Sequence, residues 1–199
     1  MNDLIPGLLT GLALIVAIGA QNAYVLRQGI RRSHVGLVVA ICAVSDVVLI
    51  VAGVSGIGTI VDRAPTAIEV VRWLGVAFLT WYGLSSLWRA RRADALSASG
   101  EVVDARRSVA LKALALTWLN PHVYLDTVLL LGSVANTHGS PGRWWFAAGA
   151  CLGSILWFSG LGFGARLLAP VLARPRAWQV LDVLIGIVML LIALKLAMG

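Results

Sequence analysis

Six apolar stretches, each long enough to cross a bilayer, follow one another along the 199 residues and constrain every other reading of the chain. An α-helix rises about 1.5 Å per residue, so roughly 20 apolar residues cover a hydrocarbon layer of roughly 30 Å. On that measure spans are expected at Leu4–Leu26, His34–Ile60, Thr66–Trp88, Val109–Val134, Arg143–Arg166 and Ala177–Met198. With 59% apolar and 13% charged residues, the composition is that of a polytopic membrane protein and not of a water-soluble domain. The expected fold is therefore all-α, one transmembrane domain over residues 1–199. The leading MNDL carries an acid and no Lys or Arg, and the apolar run behind it exceeds the roughly 7–15 residues of a signal-peptide core, so it reads as a retained first span.

The net charge of +7 could suggest a nucleic-acid partner, but the basic residues are dispersed among short connections and form no basic stripe. Positive loops beside a membrane explain them better. Arg27, Arg31 and Arg32, then Arg89, Arg91, Arg92, Arg106, Arg107 and Lys112, then Arg166, Arg174 and Arg176 fall on one side. Arg63, Arg72, Arg143 and Lys195 fall on the other. The asymmetry predicts a plasma-membrane protein with both termini outside. Trp73, Trp88, Trp144, Trp145 and Trp178 sit near span ends, as an aromatic belt would. The long connection Arg89–Ser108 reads as a solvated cytoplasmic linker between residues 1–88 and 109–199.

These two halves repeat weakly. GAQNAYVL in the first span can be laid on WLNPHVYL in the fourth so that Asn22 meets Asn120. CAVSDVVL and CLGSILWF bring Asp46 near Ser154, and WLGVAFLT and LIGIVMLL align Gly75 with Gly186. Three spans per half force opposite orientations, so two inverted three-helix repeats are expected.

Polar residues inside the spans mark the site. Asn120 followed by Pro121 is a helix-start signal, a capping residue and then the residue favoured at the first helical position. The fourth span is accordingly expected to break there, the new helix favouring negative charge at its N-terminus. A proline kink with Asn120 bonded to a neighbour is the alternative. His122 and Asp126 are four residues apart, on one face of that second half, where they can form a structural pair or serve a ligand. By the repeat, Gly19, Ala20, Gln21 and Asn22 are expected to interrupt the first span as the partner break, with a Gln21 hydrogen bond across helices as the alternative. Asp46 lies about 18 Å along its helix from His34, near mid-bilayer, where an acid is functional by default. Ala43, Gly53 and Gly56 fall close to its face, and Gly149, Gly153, Gly160 and Gly164 suggest close packing of the fifth span, the safer reading, or a surface that slides. Cys42 and Cys151 lie in apolar runs, so no disulfide framework is indicated. No phosphate-binding loop and no metal-spaced His or Cys cluster occurs, so no cofactor, metal or enzymatic role is expected.

Several blocks resemble the L-lysine/L-arginine exporter family: GAQNAYVLRQGIRR (Gly19–Arg32), SDVVLIVAG (Ser45–Gly53), RWLGVAFLTWYG (Arg72–Gly83), TWLNPHVYLDT (Thr117–Thr127) and RWWFAAGA (Arg143–Ala150). The resemblance departs at Ala20, where that family commonly has proline; Gly19 still permits a break. It implies export of basic amino acids driven by the membrane's ion gradients, and is compatible with a homodimer. In that light the helix start at Pro121 is expected to receive the substrate carboxylate, Asp46 and Asp126 its cationic groups, and Gln21, Asn22 and Asn120 to supply hydrogen bonds. Tyr24, His122 and Tyr124 are the expected accessory residues. Asp46 and Asp126 are also expected to couple protons, because a carboxyl taken out of water favours its neutral form and an incoming cation would expel the proton. Export of a neutral amino acid or an inorganic cation, a thiol redox protein using Cys42 and Cys151, and a passive channel are the competing readings.

Overall fold

The computed structural model describes residues 3–16, 19–57, 65–91, 105–168 and 175–198, and every regular element among them is helical. Helix α1 (Leu4–Ile15) is followed by α2 (Ala20–Ile30), and α3 (Val35–Ala52) runs into a wider π turn (Gly53–Ile57). Then come α4 (Pro65–Arg91), α5 (Arg106–Trp118) and the short α6 (Pro121–Val123). From α6 the chain continues through a π-helical stretch (Tyr124–Leu131) into α7 (Gly132–Thr137). Helices α8 (Gly139–Gly164) and α9 (Pro175–Met198) complete the order.

Four stretches among the described residues are long and apolar enough to cross a membrane: Val35–Gly56, Glu69–Trp88, Gly139–Leu167 and Gln179–Met198. They match the expected second, third, fifth and sixth spans to within a few residues. Helices α1 and α2 add a fifth if the pair, bent by 85°, is one span. The fourth expected span, Val109–Val134, is not one continuous helix, because α5 stops at Trp118 and helix resumes at Pro121. The far end of the second span beyond Ile57, residues 92–104 of the connection Arg89–Ser108, and Arg63, Arg92 and Arg174 lie outside the described residues.

The side-chain distribution is that of a protein solvated by lipid. Ile5, Leu9, Val44, Trp81, Leu184 and Leu191 point outward and are exposed, which costs nothing in hydrocarbon. Tyr24, Val38, Cys42, Leu116, Phe158 and Met189 form the buried centre, and a second cluster joins Ile50, Val54 and Leu131 to Phe146 and Ala150. Trp73 and Trp88 on α4, with Trp144 and Trp145 near the start of α8, are exposed near helix ends as a belt requires. The side chain of Trp178 lies outside the described residues.

Close helix contacts are made through small residues. A Cβ on Gly7 would overlap the Phe146 carbonyl, and one on Gly149 would overlap the Leu4 carbonyl, so α1 and α8 touch backbone to backbone. Helices α4 and α9 pair likewise: a Cβ at Gly83 would lie 3.1 Å from the Gly186 carbonyl oxygen, and one at Gly186 would lie 3.1 Å from that of Gly83. Gly75, aligned with Gly186 from sequence, instead meets the carbonyl of Leu119 at the break between α5 and α6. Gly160 and Gly164, expected to pack closely, have nothing within 4 Å of where a Cβ would stand. The same is true of Gly56, whose φ of +92° shows that it serves the backbone turn after α3 and not packing beside Asp46.

Gly149→Val should therefore disrupt the contact between α1 and α8. Overpacking costs roughly 1–3 kcal/mol where side chains can shift, and a backbone neighbour has less room to move. Size-exclusion chromatography of detergent-extracted protein after graded heating should show loss at lower temperature for Gly149→Val and an unchanged profile for Gly160→Ala.

Candidate functional site: a cavity between two broken helices

The two breaks are built alike. Asn120 adopts extended backbone angles (φ −100°, ψ 106°), its side chain accepts the His122 N–H at 3.2 Å, and Pro121 takes the first helical position. That is the helix start expected from the Asn-Pro pair. Behind it, the carbonyl of Trp118 at the end of α5 has lost its helical partner and accepts the Tyr124 hydroxyl at 2.9 Å. At the other break, between α1 and α2, Gly19 is the extended residue (φ −119°, ψ 171°) and Ala20 the first helical one, so α2 starts without the proline. The carbonyl of Ile15, at the end of α1, accepts the Asn22 amide at 2.7 Å. Each second half thus sends back a side chain to satisfy the helix end that it interrupts. In structural register Gly19-Ala20 corresponds to Asn120-Pro121, three residues from the alignment that laid Asn22 on Asn120.

Between the breaks lies a cavity of about 280 Å³, near the lower end of the roughly 300–1,000 Å³ usual for small-molecule pockets. Gly19, Ala20, Gln21 and Asn22 line it from the first break; Asn120, His122, Val123, Asp126 and Thr127 line it from the second. Asp46 enters from α3, Phe158 from α8, and Ile192 with Lys195 from α9. Of the residues expected at the site, Gln21, Asn22, Asp46, Asn120, Asp126 and His122 are brought together here.

The two acids differ. Asp46 is 5% exposed and accepts the Ser154 hydroxyl at 2.7 Å, a hydrogen bond that joins α3 to α8. Its neighbour Ser45 accepts the Trp118 indole N–H at 3.1 Å, which ties α3 to the end of α5. Asp126 is exposed. It makes no ion pair with His122 among the described residues, in contrast to the structural pairing considered from their spacing. The π stretch beginning at Tyr124 bonds residues five apart, so the four-residue register of an α-helix does not hold there.

Asn22 is held from both sides, its carbonyl oxygen accepting the Trp157 indole N–H at 3.2 Å. The Nε2 of Gln21 is buried without a hydrogen bond among the described residues. Pro121, Tyr24 and Tyr124 do not line the cavity. Tyr24 is a core residue, donating to the Val109 carbonyl at 3.3 Å and meeting Tyr82 edge-on with ring centroids 5.9 Å apart. Cys42 and Cys151 are free thiols.

Two cations assigned to loops from sequence are elsewhere. Lys195 lines the cavity. Arg27 lies within α2, 6% exposed, 3.1 Å from the carboxylate of Asp182 on α9, which also accepts the Ser86 hydroxyl of α4 at 3.0 Å. Asp182 escaped the sequence reading because it stands near the start of its span, where an acid can reach water; the signal was simply an acid in an apolar run.

Residues 12–199 match the family described as LysE type translocator. The chain belongs to that family. It is 40% identical, over all of both chains, to a protein named lysine exporter LysE from Corynebacterium diphtheriae. To the arginine exporter protein ArgO of Salmonella schwarzengrund it is 44% identical over 96% of this chain and 91% of that one. No solved structure matches it. Members of the LysE family are transporters and not enzymes, and the apolar helices described above fit a multi-pass membrane protein.

In this LysE-type translocator the buried pair should show the asymmetry of such contacts. Removing one partner costs roughly 3–5 kcal/mol because it strands the other charge, whereas replacing both with apolar residues is close to neutral. Asp182→Leu alone should sharply reduce the folded protein recovered from membranes. The double variant Arg27→Met, Asp182→Leu should recover most of it, measured as monodisperse protein in detergent.

Proposed function

We propose that the protein is a plasma-membrane secondary exporter of basic amino acids, L-lysine, L-arginine or both, coupled to inward movement of protons. The observation that carries this reading is the cavity itself, which joins two aspartates to amide side chains from both helix breaks. Lysine and arginine each carry two cationic groups and one carboxylate. Asp46 and Asp126 match the cations; Gln21, Asn22 and Asn120 offer hydrogen bonds; the carboxylate lies toward the helix starts at Ala20 and Pro121, where peptide dipoles favour it. The names of the exporters that the chain resembles support the same substrate class.

Proton coupling is proposed on energetic grounds. Moving a monovalent cation outward against an inside-negative potential costs about 2.3 kcal/mol per 100 mV, and exchange for one proton removes that cost. Two inverted three-helix repeats would let one half rock against the other about the cavity. The reading is supported by the matching breaks at Gly19 and Asn120, the hydrogen bond between Ser154 and Asp46, and the pairing of α4 with α9.

Uptake of labelled lysine, arginine and threonine into inverted membrane vesicles, with and without an imposed proton gradient, tests substrate and coupling together. Lysine or arginine should accumulate when the vesicle interior is acid, and threonine should not. Asp46→Asn and Asp126→Asn should each reduce accumulation at least about tenfold, the scale of one charge-assisted interaction lost, while the amount of protein in the membrane is unchanged. Parental rates in either variant would remove that residue from the site.

A further inference from the structure

Among the described cavity-lining residues, Lys195 is the lysine or arginine whose charge opposes the two aspartates. It stands in the last turn of α9, one turn beyond Ile192, and both face the cavity. Although Asp46 and Asp126 line the same space, Lys195 forms no ion pair within 4 Å among the described residues, so its ammonium donors remain available to a ligand. Its side chain is exposed, so its charge keeps contact with water and carries little of the burial cost that Arg27 bears.

The charges then form a complementary set. A basic amino acid presents one negative and two positive groups; the cavity presents one lysine and two aspartates. The helix start at Pro121 can supply only part of what the carboxylate needs, because the carboxamide of Asn120 already accepts the His122 N–H there. A lysine ammonium adds a full charge and three donors where the helix end adds a fraction of a charge. We propose that Lys195 receives the α-carboxylate of the transported amino acid and so selects amino acids over the amines that lack it.

This inference rests on the proposed exporter function, and the two fail separately in one experiment. Uptake of labelled lysine into inverted vesicles containing the full chain is competed with unlabelled lysine or with 1,5-diaminopentane, its decarboxylated amine. In the parent the diamine should compete at least about tenfold more weakly, the scale of one charge-assisted hydrogen bond. In Lys195→Met the apparent KM for lysine should rise about tenfold, that for the diamine should stay unchanged, and the preference should vanish. Lys195→Arg should retain it. If Lys195→Met keeps the parental preference, Lys195 is only a charge at a helix end and the inference is overturned. Should the Met variant fail to reach the membrane, Lys195→Gln takes its place. If the parent carries threonine and neither basic amino acid, the exporter proposal falls, and Lys195 is scored on threonine against 1-amino-2-propanol. If the parent carries none of the three, both fall.

Discussion

A backbone amide or carbonyl left without a partner in hydrocarbon costs several kcal/mol, and that constraint governs the arrangement of this protein. Breaking a helix inside a bilayer strands such groups on both sides of the break. The Asn22 side chain satisfies the carbonyl of Ile15, Tyr124 that of Trp118, and Asn120 the amide of His122. Trp157 and Trp118 then brace the breaks against neighbouring helices through Asn22 and Ser45. The first three of these five contacts satisfy groups that a continuous helix would have paired internally. The cavity exists because the polar residues that open it also satisfy the backbone that they interrupt.

The second break was legible in sequence because Asn followed by Pro is a local signal whose geometry follows from two adjacent residues. The four long helices were legible for the same reason, since the length of an apolar run is read directly. The first break was harder, because Gly19-Ala20 lacks a proline, and the residues sharing a backbone role, Gly19 and Asn120, are three positions from the laying of Asn22 on Asn120. Asn residues stand in both segments but do different work: Asn120 caps the helix that follows, Asn22 the helix that precedes. Identity of residue type misled where identity of backbone role would not have.

Charge counting by loop had a matching limit. It treats every Lys or Arg near a span end as solvated, yet Arg27 turns inward to Asp182 and Lys195 faces the cavity. Which way a side chain near a helix end points is decided by the helix packed against it, and that is tertiary information. The glycines behave similarly: Gly149 and Gly160 look equivalent in the fifth span, but only the first meets another backbone. The π stretch from Tyr124 to Leu131 likewise has no local signature, and it moves Asp126 out of the four-residue register with His122.

The same packing separates the two cavity aspartates into different environments. Asp46 is enclosed between α3 and α8 with Ser154 as its fixed donor, and an unaccompanied charge so enclosed is costly. Asp126 is open to the cavity, where water can solvate it when no cation is present. In the proposed exporter an arriving cation would gain little by meeting Asp126 alone, and most by reaching Asp46, which is nearly enclosed. The proposed passage from the open acid to the enclosed one would move the charge from a place where it exchanges with solvent to one where the protein surrounds it. The proposed exchange of one positive charge for another moves no net charge across the membrane potential, and the more buried of the two acids is where it would fit best.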